Sequence, residues 1–267
     1  VDNANLTVSG SLNNQKGEIA ANNALAIEDK QAQNLHIDNT DGTMVANHVS
    51  LQSKSLNNQG KLAAGNHLSI DLKDDFTVER NLEAGNKLNI KTAGSLNNTQ
   101  TIQAESEVNI QVKQNISNRG TMNSNGLTRV EAGQELLNIG TGKIYGDELA
   151  IQADVLTNDA ENNTGATIAA RGRLNLGVKQ LHNREDSLIY SGDSMSIGGS
   201  LNNKNIAESQ SEIIKNLSAT IESGNHLNIS AREIYNRNEH LSTHLEEVSR
   251  EHIIEYEGNT HANATGK

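Results

Sequence analysis

The sequence predicts an all-β fold, a right-handed parallel β-helix of about 11 coils with three short strands per coil, on three observations. An aliphatic residue followed two places later by Asn recurs along most of the 267 residues. Between these words lie short runs in which apolar and polar residues alternate. The chain also has no Pro, no Cys and no Trp, one Phe and four Tyr, whereas Asn supplies 38 residues. So few rings imply a core built from aliphatic side chains.

The recurrence is plainest in the tetrapeptide SLNN, which starts at Ser11, Ser55, Ser95 and Ser200. Extended to its looser form, the word has eleven anchors: Leu12, Ile37, Leu56, Val78, Leu96, Ile116, Leu136, Leu156, Leu181, Leu201 and Ile234. Ten carry the Asn (Asn14, Asn39, Asn58, Asn98, Asn118, Asn138, Asn158, Asn183, Asn203 and Asn236), and Val78 has Arg80 instead. Successive anchors are 25, 19, 22, 18, 20, 20, 20, 25, 20 and 33 residues apart. A sustained period near 20 marks a repeat architecture.

Each unit continues through two more words. After a turn, often with Gly, comes an aliphatic residue with a small residue two on, as in Leu62/Ala64, Ile102/Ala104 and Ile168/Ala170. An alternating apolar pair follows, as in Leu68/Ile70, Val108/Ile110 and Leu174/Leu176. Period-two runs bounded by Gly, Asn, Asp and Ser read as strands. Three such strands cannot close a core alone, but stacked coils bury one another's apolar faces. Pro would remove a donor from a ladder that runs through every coil, which accounts for its absence.

In this scheme Leu12, Leu56, Leu96, Ile116, Leu156 and Leu201 form an inward column. The first Asn of SLNN points outward and the second sits at the bend, where its amide bonds to the Asn of the next coil. Stacked amides satisfy the corner groups that strand pairing leaves free.

Composition narrows the function. A net charge of −11 opposes nucleic-acid binding, because the phosphates would be repelled. No apolar run is long enough to span a bilayer, so stable membrane insertion is not expected. Zero Cys excludes disulfides and thiolate metal sites. Asp71, Asp74 and Asp75 form the densest acidic cluster but lack the alternating oxygen donors of a calcium loop, and read as a solvated turn. His240 and His244 stand four apart without the HExxH pattern, and read as surface residues. A carbohydrate-active β-helix enzyme would need a groove of clustered carboxylates. The sequence offers none, so neither an enzyme nor a cofactor is expected.

SLNNQKGEIAANNALAI and SLNNQGKLAAGNHLSI resemble the haemagglutinin repeats of large two-partner-secreted bacterial exoproteins. That family includes filamentous haemagglutinin adhesins and contact-dependent growth inhibition toxins. The resemblance covers roughly residues 1–236. It implies a parallel β-helix, export through an outer-membrane two-partner-secretion transporter of a Gram-negative bacterium, and a place in a secreted filament at the cell surface. The family's secretion domain and toxin domain are not recognisable, so an internal section of a longer array is expected. Ala160–Asn163 (AENN) is superficially like the VENN word of the family, but lies mid-array in an Asn-rich loop.

From residue 237 onward the pattern gives way to charges, His and Tyr. Residues 237–267 are expected to form a cap or a transition segment, with 237–258 packed over the last coils. A stretched coil places residues 202–220 in a loop leaving the rod. That loop and the carboxyl segment, with His240, His244, Arg250 and Tyr256, are candidates for contact with a receptor on a target cell.

Overall fold

The computed structural model describes residues 1–29 and 34–251. Among these, every regular element is a strand, and the strands stack in parallel as a β-solenoid of about twelve turns. One turn shows the plan. Leu96–Asn98 lies on the first face, Thr101–Ala104 on the second and Glu107–Val112 on the third, and Ile116–Asn118 begins the next turn. Each strand pairs with its equivalent one turn on, Leu96 with Ile116, Ile102 with Met122 and Val108 with Thr128.

The alternation in sequence becomes an alternation in burial. Along Glu107–Val112, Val108, Ile110 and Val112 are buried, whereas Glu107, Asn109 and Gln111 are half-buried on the outside. The inward residues form axial columns. On the second face Leu62, Leu82, Ile102 and Met122 succeed one another, and on the third Ile70, Ile90, Ile110 and Val130 do so. Each fully buried aliphatic side chain contributes roughly 1.5–3 kcal/mol before chain entropy is subtracted. Where the second-face column carries Ser124, the third-face column carries Thr128. The two buried hydroxyls bond to each other at 3.0 Å, so neither is left unpaired.

Two anchors are corrected. Val78 is not one: Phe76 pairs with Leu96 and fills the column, and Val78 takes the position of the ladder Asn opposite Asn98. Phe76 stands six residues beyond Ile70, the same step as from Ile90 to Leu96, and Val78 would be two too many.

Leu201 does not enter the column either. The position belongs to Ile214, which pairs with Leu181 on one side and Ile234 on the other. Leu201 comes only four residues after the inward Ile197, against five or six residues in most other turns, too few to round a corner and reach the core. The fourth SLNN is instead one arm of an antiparallel hairpin, Ser200–Leu201 against Ala207–Glu208. The long coil therefore has its extra residues before its anchor, and Ser211–Leu217 and Thr220–Ser223 belong to the faces.

The carboxyl segment does not cover the rod within the described residues. Residues 238–251 carry no regular secondary structure, and Leu241, Leu245 and Val248 are exposed. Leu227, Ile229 and Ile234 of the last turn also stay exposed. Leu241, Leu245 and Val248 have helical spacing, but a stretch this short does not hold a helix without a face to pack against. The rest of the expected cap, including Tyr256, lies outside the described residues.

About twelve turns at ~4.8 Å each make a rod roughly 55 Å long. Solution scattering should therefore give an elongated particle and circular dichroism a β spectrum with little helix. Leu96→Asp should destabilise by about 4 kcal/mol or more in denaturant unfolding, because it places a carboxylate in the aliphatic column. Leu201→Asp, outside that column, should cost far less.

Candidate functional site

The most ordered polar feature is a ladder of Asn side chains along one corner. Asn14 donates to Asn39 and Asn39 to Asn58, each at 2.8 Å. A second run passes from Asn98 through Asn118, Asn138, Asn158, Asn183 and Asn216 to Asn236, again at 2.8 Å per step. Val78 separates the two runs, because its side chain can neither donate nor accept.

An Asn amide has two N–H donors and one carbonyl, and the corner uses all three functions. One N–H of Asn183 goes to the Asn216 carbonyl and the other to the Thr220 backbone oxygen at 2.8 Å, and its own carbonyl accepts from Asn158. Asn158 and Asn138 likewise add corner carbonyls, those of Leu188 and Thr167. Asp would lack the donors and Ser the reach.

The sequence placed nine of its ten ladder residues correctly. Asn203 is the error: it is exposed on the hairpin, and Asn216 stands in its place. Ile214-Lys215-Asn216 carries only the looser form of the word, whereas the full SLNN stands at Ser200 in the hairpin.

Two hairpins project from the corners and fold back on the rod. In the first, Ala160–Glu161 pairs with Thr164–Gly165 around Asn162 and Asn163, whose φ values are 53° and 59°. Two consecutive positive φ values define the tight hairpin turn that Asn accommodates well, which is the local reason for AENN. Glu161 reaches across the intervening turn and takes two hydrogen bonds from Arg119, both 2.8 Å. Gly140 lies beneath with φ +62°, where a Cβ would come within 2.9 Å of Glu161 Cβ. The Arg119 hydrogen bonds hold the Glu161 carboxyl below its ordinary value.

The second hairpin, around residues 200–208, lies along the outer third face instead of leaving the rod. The Leu201 N–H donates to Gln152, the Ala207 N–H to Asn175, and Arg129 Nε to Asn205. Gly177 makes the close approach possible, since a Cβ there would sit 2.4 Å from Leu201 N. Ile206 remains half-exposed near the turn.

The remaining candidates have local partners. Asp71 faces Lys91 at 3.9 Å, and Asp75 accepts the Ser95 N–H at 2.7 Å. His240 Nε2 meets Glu185 at 2.7 Å, which raises the imidazole's pKa. His244 is exposed, and Arg250 is exposed beside Glu247. None of the three is brought together with another.

Sequence reasoning passed over a cluster on the outer first face. A hollow of about 430 Å³ is lined by His182, Arg184, Lys215, Tyr235, Arg237 and Glu239 among others. Burial, then Lys215 and Arg184, push the His182 pKa down. The outward positions of successive words could have shown this grouping once the register was right.

Comparison with protein-family models, with curated proteins and with solved structures finds no match for this chain.

The ladder yields a direct contrast. Asn183→Ala should cost about 1–3 kcal/mol, because it strips partners from buried amide groups, whereas Asn203→Ala should stay within about 0.5 kcal/mol. Thermal unfolding of both variants checks the register.

The first hairpin should be acid-sensitive. A carboxyl whose folded pKa is lowered contributes stability above its unfolded value, and loses that contribution as pH falls through the folded one. Hydrogen-exchange protection of the hairpin should hold down to roughly pH 4.3 and fade below it, and Glu161→Gln should remove that dependence.

Proposed function

We propose that this chain is a stalk section of a secreted bacterial surface filament, exported through an outer-membrane two-partner-secretion transporter. Its task is to hold an adhesive or toxin-bearing region away from the cell. The observation that carries this reading is the continuity of the aliphatic columns along about twelve turns, with the Asn ladder following them on either side of Val78. A repeat that contacts mainly its neighbours makes length a simple sum of turns, and length is what a stalk supplies. The repeat words quoted above support the same reading by resemblance.

A second reading is that the segment itself touches a target-cell receptor. The hollow beside Tyr235, lined by three cations, favours it, as does half-exposed Ile206 on the second hairpin. Loops and irregularities on a rigid scaffold are where recognition commonly resides.

The experiment is surface display of the full-length gene product. Antibody against this segment should label intact cells and lose the label when the transporter gene is deleted. Excising one whole 20-residue turn, residues 96–115, should preserve export and target-cell attachment while shortening the filament. Removing residues 200–209, or changing Lys215 and Arg237 together to Ala, should leave attachment unchanged. Attachment lost in either of these variants, with export intact, would move the function to direct contact.

A further inference from the structure

We propose that His48 and His67 form a binding site for one imidazole-preferring divalent transition ion, copper(II), nickel(II) or zinc(II), bridging two adjacent turns. His48 and His67 occupy equivalent positions at the start of the third face, directly opposite each other in the parallel ladder. Their rings are tilted by 46° with centroids 5.0 Å apart, and Nδ1 of one is 3.1 Å from Nδ1 of the other. A metal at about 2.0–2.1 Å from each nitrogen holds two ligands about 2.9 Å apart at a right angle and about 3.3 Å apart at the tetrahedral angle. The observed separation falls between these values, so the two nitrogens already stand at the spacing one ion requires, and a turn of the rings about their side-chain bonds aims both lone pairs at it.

The surroundings leave room for it. Both imidazoles are half-buried, which orders them without closing them to solvent. On the His48 side the next residue in register is Ala24, which has no side chain long enough to obstruct. On the His67 side it is Lys87, whose ammonium is turned to Glu107 at 2.8 Å and neutralised there. Among the described residues no group of three or more His, Asp or Glu side chains gathers, so the protein supplies two ligands and water fills the other positions.

Asn86, one turn on, stands 3.4 Å from the outer nitrogen of His67. In the free protein the two Nδ1 atoms share one proton, one nitrogen donating to the other. Binding moves that proton to Nε2 of its own ring, which keeps both imidazoles neutral and frees both Nδ1 lone pairs; at His67 the Asn86 amide, turned over, presents its carbonyl to receive it. A metal-bound His held by a carbonyl or carboxylate at its other nitrogen is a recurrent arrangement, which makes Asn86 a positioning residue.

The test is calorimetric titration of the whole chain with copper(II), nickel(II) and zinc(II) chlorides at neutral pH, alongside thermal unfolding. His48→Asn and His67→Asn keep hydrogen-bonding capacity and should fold, which circular dichroism checks. Each should remove one ion from the stoichiometry, or weaken that site at least tenfold, and abolish the metal-dependent rise in the unfolding midpoint. His36→Asn and His240→Asn should leave the site intact, affinity should peak at copper(II), and Asn86→Asp should tighten binding. Wild-type isotherms in both His48→Asn and His67→Asn, or no metal-dependent change in the unfolding midpoint of the natural sequence, would overturn the proposal and leave the contact as a hydrogen bond.

Discussion

No turn of this rod can satisfy its own backbone. Most strands have only three to six residues and make few contacts within a turn, and nearly all their hydrogen bonds run to the turns above and below. Everything else follows from that dependence. Side chains must repeat in register, because a parallel ladder places each residue over its equivalent. An inward position must stay apolar in turn after turn, or find a partner within the core as Ser124 and Thr128 do. Pro can enter none of these ladders without removing a bond.

The corners obey a different rule. Backbone groups that leave the ladder need side-chain partners, and the stacked Asn amides supply them by copying the strand arrangement with side chains. A break is tolerated where it is apolar on both counts: Val78 neither donates nor demands, and Phe76 fills the space two residues earlier. Extra residues also enter at corners, where they do not shift the faces. Both hairpins return to the rod, one held by Arg119 and Glu161 and the other seated against Gly177. Insertions here therefore decorate the surface without interrupting the columns.

The fold was legible because its determinants are periodic. Leu96, Ile102, Val108 and Ile110 need no knowledge of distant chain to be placed, since the same four roles recur about 20 residues away on either side. Val78 and Leu201 match the repeat word but not the step from the preceding inward residue, eight residues from Ile70 and four from Ile197. A corner needs five or six residues, and that constraint separates Ile214 from Leu201 although the latter carries the fuller motif. The His48–His67 contact was hidden for the same reason. At 19 residues' separation the two look unrelated until the register brings them face to face.

Sequence by itself determined the parallel β-solenoid, its period and most of its Asn ladder, because stacking forces each turn to repeat the residues of the last. Tertiary structure alone decided where the irregular pieces go. Whether residues 200–208 leave the rod or lie against it depends on Gln152, Asn175 and Arg129, which stand up to 76 residues away along the chain. Whether Leu241, Leu245 and Val248 cover the last turn depends on a packing partner, and in the fold they find none among the described residues. Periodic contacts are written in every copy of the repeat, whereas a contact made once leaves no second copy by which to recognise it.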